Sequence, residues 1–195
     1  MGATMDRKRA ISLLKTSHAL LEGHFLLTSG NHSDNYVQCA LLMSHPALAE
    51  EFMADIAGRF KDSGVDTVAS PAIGGIIVSY EVGRLMGTRS IFLEREKGEM
   101  TLRRGFTIGK GERVLVVEDV ITTGGSVLEV RDAIEKSGGT VAAFASVVNR
   151  SQGRFAPEIP YYACIDMEIP IYPPGDCPKC KAGVPVVKPG SRGLQ

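Results

Sequence analysis

The chain has 195 residues, with 22 lysines and arginines balanced by 22 aspartates and glutamates, so its formal net charge is zero. That length suits one domain with a well-buried core, and the charge balance argues against a nucleic-acid binder, which ordinarily carries a basic excess. No run is long and apolar enough to cross a bilayer, which points to a soluble, cytoplasmic protein with no membrane partner.

At the N-terminus, "MGATMDRKRAISLLKTSHALLEG" is amphipathic. It lacks the apolar region and cleavage site of a signal peptide, and Asp6 stands where a myristoylation site has serine or threonine. Ile11, Leu14, His18 and Leu21 share one helical face, which predicts a helix from Asp6 to Glu22 stopped by Gly23. "HFLLTSG" and "NYVQCALL" read as short strands. Pro46 opens a second helix that Gly64 closes, with Leu48, Phe52, Ile56 and Phe60 four apart.

From there strand and helix alternate. "DTVAS" is a strand, and "GGIIVSYEVGRLMG" a helix after a Gly-Gly turn. "RSIFLE" and "RVLVVED" are strands, and "GGSVLEVRDAIEKSGG" is a helix with Val127, Val130 and Ile134 inward. "TVAAFASVVNR" is a long strand and "YYACIDM" a short last one. This order predicts an α/β fold with a mostly parallel central sheet flanked by helices on both faces. The tail from Pro173, rich in proline, glycine and lysine, reads as loop with at most one short extended segment.

The chemistry concentrates in "VLVVEDVITTGGS", Val114 to Ser126. In an open parallel sheet the ligand crevice lies beyond the carboxyl ends of the strands, where this stretch falls. A helix starting near Gly124 or Gly125 presents unpaired N–H groups and a positive dipole end. Thr122, Thr123 and Ser126 add hydroxyls, so the turn suits a phosphate monoester. Glu118 and Asp119 would repel that phosphate and need hydroxyls or a cation instead. A ribose 5-phosphate satisfies the whole stretch; a plain turn-capping role for the acids leaves the Thr-Thr-Gly-Gly-Ser order unexplained. No GxGxxG opens a helix and no GxxxxGK[ST] is present; "GFTIGKGE" has the wrong spacing.

The stretch resembles the phosphoribosyl-pyrophosphate signature of the type I phosphoribosyltransferases. "FLLTSGNHSDNY", "SPAIGGI", "EREKGEMTLRRGF", "VVNR" and "DCPKCKAGVPVVKPGSR" resemble the orotate-using members in particular. The resemblance implies that residues 1–195 form one phosphoribosyltransferase domain, with a core of about 46–160. A small hood subdomain would come mainly from 1–45, with 160–195 as a further contributor. It implies transfer of 5-phosphoribose from phosphoribosyl pyrophosphate to orotate, giving orotidine 5′-phosphate and pyrophosphate in pyrimidine synthesis. Mg2+ would be carried mainly by the phosphoribosyl donor, with no protein metal ligand.

Residue by residue, Glu118 and Asp119 would hold the ribose hydroxyls and stabilise positive charge on the ring. Val120 and Ile121 would flank them, and Thr122, Thr123, Gly124, Gly125 and Ser126 would hold the phosphate. Ala72, Gly74 and Gly75 of "SPAIGGI" would hold pyrophosphate through backbone N–H groups. Many orotate enzymes have lysine at the place of Gly74, so the backbone or a basic residue from elsewhere must compensate. Arg95, Lys97, Arg103 and Arg104 match a catalytic lid that closes over the neighbouring subunit's site in a homodimer. Glu96 stands where the family commonly has a further lysine. Arg150 would pair the orotate carboxylate in two-pronged fashion. Thr28 replaces a lysine that many relatives carry in the hood. The rival readings are a phosphoribosyltransferase for another base, such as a purine, and a phosphoribosyl-pyrophosphate-sensing regulator. The intact cationic lid and the lack of a DNA-binding domain weigh against the regulator.

The four cysteines, Cys39, Cys164, Cys177 and Cys180, do not form a disulfide framework. "CPKC" is half of a zinc ribbon, and no second CxxC or HxxxH completes the four ligands that a structural site needs. Cys39 and Cys164 are the remaining thiols that would have to complete such a site. A surface turn carrying two thiols is the expectation.

Overall fold

The computed structural model describes residues 5–27 and 29–189. The chain opens with α1 (Arg7–Thr16), followed by an antiparallel hairpin of β1 (Leu20–Leu26) and β2 (His32–Val37). The first helix is shorter than its periodicity predicts. The Ser17 hydroxyl donates back to the carbonyls of Leu13 and Leu14, at 2.9 and 3.2 Å, and His18 turns into positive φ at 56°. Those two residues end the helix. Leu20 and Leu21 then pair with Val37 and Tyr36. The buried helical face is therefore Ala10, Leu13 and Leu14, and His18 and Leu21 are not part of it.

The apolar run "CALL", expected as strand, is instead helical in α2 (Cys39–Met43). Cys39, Leu42 and Met43 stand at helical spacing and all are buried. Next come α3 (Pro46–Phe60), β3 (Thr67–Pro71), α4 (Gly75–Met86), β4 (Arg89–Glu96) and β5 (Glu99–Leu102). After them run β6 (Arg113–Ile121), α5 (Gly125–Lys136), β7 (Thr140–Asn149) and β8 (Tyr161–Asp166).

The six-stranded sheet has the order β5-β4-β3-β6-β7-β8. Its strands are parallel except β5, which returns antiparallel to β4 as the second arm of the charged hairpin. Alternate side chains feed two cores. Val68, Leu115 and Val117 pack with Phe52 and Ile56 of α3 and Val78 and Val82 of α4. Ala69, Val114 and Val116 pack with Val127, Val130 and Ile134 of α5 on the other face. Each large aliphatic side chain so buried contributes about 1.5–3 kcal/mol. No helix among the described residues is long and apolar enough to cross a membrane.

The tail does not trail as loop. It forms a 3₁₀ turn (Pro174–Asp176) and α6 (Pro178–Lys181), then docks on the hairpin. Leu26 N–H donates to Val187 O and Val187 N–H to His24 O, both at 2.8 Å. On the other side His32 and Tyr172 exchange two backbone bonds of 2.8 Å. The β1–β2 hairpin and the Tyr172–Val187 segment thus make one hydrogen-bonded unit.

Candidate active site

The chain leaves β3 through α4 to reach β4 on one side, whereas β6 lies on the other side of β3. A crevice opens at such a switch point, beyond the carboxyl ends of the strands. The turn after β6 enters it. Gly124 has φ 81°, and a Cβ there would lie 2.0 Å from Cδ2 of Phe155, so only glycine fits. The turn encloses a concavity of about 50 Å³ lined by Glu118, Val120, Ile121 and the Thr122–Val127 segment. The first N–H groups of α5 have no intrahelical partners, an arrangement that suits an anion.

Glu118 is 9% exposed, and burial first, then the adjacent Asp119 charge, pushes its carboxyl well above the usual range. Burial also raises Asp119, while its Oδ1 accepts the Val120 N–H at 2.8 Å. Two desolvated carboxylates side by side attract protons, hydroxyl donors or a cation.

The Ala72–Gly75 turn faces this pair. A Cβ at Gly74 would stand 2.7 Å from both carboxylate oxygens of Asp119. Glycine is what allows the two loops to touch. The Ala72–Ile73 peptide is cis, and Ala72 N–H donates to Leu93 O at 2.8 Å. Ser70 Oγ donates to Ser79 Oγ at 2.9 Å, tying the end of β3 to α4.

Arg150 follows β7, whose parallel register places Asn149 beside Ile121. Its N–H donates to Ile121 O at 2.7 Å, which fixes it beside the signature turn. Burial lowers its pKa, and its Nε is buried with no hydrogen-bond partner among the described residues. A half-buried guanidinium whose Nε–H is buried and unpaired calls for an anionic acceptor. It opens into a cleft of about 340 Å³ walled by Thr122, Thr123, Tyr36, Leu26 and Lys188.

The four cations expected to form a lid stand apart from these groups. Arg95 pairs with Glu129 on α5 at 2.6 Å, Arg104 with Glu94 at 2.7 Å, and Arg103 with Glu96 at 3.6 Å. Lys97 sits at the β4–β5 turn with φ 52°. None of the four lines the two cavities. Thr28 lies outside the described residues. The sequence reading missed Tyr36 and Lys188 as cleft residues; both lie within stretches whose resemblance it had noted.

A family model described as a phosphoribosyl transferase domain matches residues 42–175. The chain is 54% identical over 188 residues to an orotate phosphoribosyltransferase of Pelotomaculum thermopropionicum, covering 96% of this chain and 99% of the relative. One from Heliobacterium modesticaldum is 51% identical over 191 residues, covering 96% and 100%. The fold matches the crystal structure of orotate phosphoribosyltransferase from Aeropyrum pernix with TM-score 0.67 at 23% identity, over 80% of this chain and 93% of that one. A glycine-rich turn, a facing glycine loop and a half-buried arginine with an unpaired Nε at the carboxyl ends of the central strands thus accompany near-full-length likeness, and the chain belongs to the orotate phosphoribosyltransferases of the phosphoribosyl transferase family.

Proposed function

We propose that this chain transfers 5-phosphoribose from phosphoribosyl pyrophosphate to N1 of orotate, releasing pyrophosphate and orotidine 5′-phosphate for pyrimidine synthesis. The observation that carries the reading is Arg150: a half-buried guanidinium with an orphaned Nε, held beside the signature turn and opening into the cleft between it and the hairpin. Orotate brings the planar carboxylate such a fork fits.

In this reading the N-terminal end of α5 and the Thr122–Ser126 hydroxyls and N–H groups bind the 5′-phosphate. Glu118 and Asp119 accept hydrogen bonds from the ribose hydroxyls. As the C1′–O bond to pyrophosphate breaks, their charge stabilises the positive ring, and the orotate N1 lone pair forms the new bond. Orotate arrives as an anion, so positioning rather than proton abstraction carries the rate. Backbone N–H groups of Ile73–Gly75 receive the leaving pyrophosphate; that of Ala72, expected to join them, is already bonded to Leu93 O. Mg2+ bound to the donor would neutralise that leaving group, and the two proton-attracting carboxylates fit a dication's water shell or the hydroxyls it polarises.

The lid works in trans in a homodimer. Its arginines pair with acids of their own hairpin and of α5, so the hairpin must exchange those exposed ion pairs for a partner's pyrophosphate. Exposed Ile77 and Tyr80 on α4, with Ile73 in the turn before it, form an apolar patch suited to a second copy. Four free cysteines fit a reducing cytoplasm.

An assay with a panel of bases tests the substrate. Orotate with the phosphoribosyl donor and magnesium should lose the orotate absorbance band, and adenine, guanine and hypoxanthine should not react. Turnover of a purine without orotate would reject the assignment.

A further inference from the structure

A second cluster of reactive side chains lies outside the proposed active site. His24 and His32 of the hairpin face Cys177 and Cys180 of the tail, and one ligating atom of each lies within 4.8 Å of the other three. His24 Nε2 is 3.4 Å from Cys177 Sγ and 3.6 Å from Cys180 Sγ. His32 Nδ1 is 3.2 Å from Cys180 Sγ and 2.8 Å from His24 Nε2. Cys39 and Cys164, the other two thiols, are elsewhere: they are buried in the core against Asp119 O and Phe52 O. "CPKC" is thus no plain surface turn, because Cys177 is fully buried and only Cys180 is exposed.

We propose that His24, His32, Cys177 and Cys180 form a structural zinc site that pins the tail to the hairpin. Two thiolates and two imidazoles in a tetrahedron are a zinc donor set. With Zn–N near 2.0–2.1 Å and Zn–S near 2.3 Å, the edges of that tetrahedron are about 3.3–3.8 Å. Three of the four S···N separations, 3.2, 3.4 and 3.6 Å, fall in or beside this range, and the two histidine nitrogens need part by only about 0.5 Å.

The second layer of contacts is also in place. His24 Nδ1 lies 2.7 Å from Val184 O, so it donates its proton there and leaves the Nε2 lone pair aimed at the thiols. A carbonyl partner of this kind fixes the tautomer of a metal-bound histidine. His24 and His32 are both nearly fully buried, at 3% and 6% exposure, and meet edge to face with centroids 4.8 Å apart. Without a metal, His24 Nε2 can accept from His32 Nδ1, but the two thiols are left with only the weak hydrogen bonds that sulfur makes. With one, all four ligands are satisfied at once.

The site has a consequence for the base cleft. Leu26 and Lys188, which wall it, are each one residue from the Phe25–Val187 bridge beside His24. Zinc therefore holds one wall of the cleft in place, and this part of the inference rests on the proposed function. The metal site itself stands without it.

Elemental analysis of the full chain, expressed in zinc-supplemented medium and purified without chelator, tests the site. About one zinc per chain is expected, with the cobalt-substituted protein showing the intense visible bands and near-ultraviolet thiolate absorption of a tetrahedral sulfur-ligated ion. Two thiols should stay unreactive until a strong chelator removes the metal. Cys180→Ser and His24→Gln should lose most of the bound zinc. If these variants fail to fold, the wild-type stoichiometry and cobalt spectrum decide alone. Metal-free protein with no tetrahedral cobalt spectrum, a Cys177–Cys180 disulfide in freshly prepared protein, or a different metal at one per chain would overturn the proposal. The base panel can succeed while the zinc analysis fails, and the reverse, so the two readings are judged separately.

Discussion

Glu118 through Ser126 reach their places within one strand, one turn and one helix. The unit above them draws His24 and His32 from one end of the chain and Tyr172, Cys177 and Val187 from the other. The first region needs only local geometry, since the end of a strand and the start of a helix deliver carboxylates and N–H groups to one point. The second has no order until distant segments meet. The phosphate turn should therefore fail through chemistry when altered, and the hairpin-and-tail unit through loss of position.

Changes in the signature should produce the largest effects. Asp119→Ala should lower kcat about 10²–10³-fold, the usual loss when a transition-state charge partner is removed, with an unchanged Tm or a small rise. A large fall in Tm would mean that Asp119 holds the fold rather than the reaction. The same variant examines the lid. Mixed with Arg95→Ala under conditions of demonstrated subunit exchange, it should recover about a quarter of wild-type activity, because half the dimers are mixed and each has one intact site. No recovery would reject a lid shared across subunits.

Next in size is the residue between the two regions. Arg150→Ala should raise the orotate KM about 10²-fold, as expected for truncating one partner of a desolvated charge pair. The donor's KM should move far less; equal rises would remove Arg150 from the base site.

The smallest effect belongs to the unliganded protein. Glu118 is raised in the folded state, so the folded chain binds more protons than the unfolded one between the ordinary carboxylate range and the raised value. Stability is full below that window and falls as pH rises through it, and Asp119 adds in the same direction. Glu118→Gln should flatten this slope and raise Tm at neutral pH by about 2–4 °C, the shift that 1 kcal/mol makes in a domain of this size. Calorimetry at mildly acidic and mildly alkaline pH measures it, and a lower Tm at neutral pH would contradict the burial argument.

The same contrast explains what could be read without coordinates. Phe52, Ile56, Val127, Val130 and Ile134 announce their buried faces by spacing alone, and all are inside. His18 and Leu21 fit the same spacing, but the Ser17 back-bond and the pairing of Leu21 with Tyr36 override it. "CALL" was too short for period to separate strand from helix. The CPKC motif was visible, yet its facing histidines lie at the other end of the chain with no local spacing to reveal them. Lys188 in the cleft wall was hidden in the same way, since its place depends on the Val187 bridge.

The contact between Gly74 and Asp119 limits which substitutions this lineage can accept. With the backbone as it stands, any side chain at 74 meets the Asp119 carboxylate before it reaches solvent. Any larger residue there, lysine included, enters only if the Asp119 carboxylate swings aside or the turn shifts. Positions 74 and 119 are therefore sterically coupled, and what one can become depends on what the other holds.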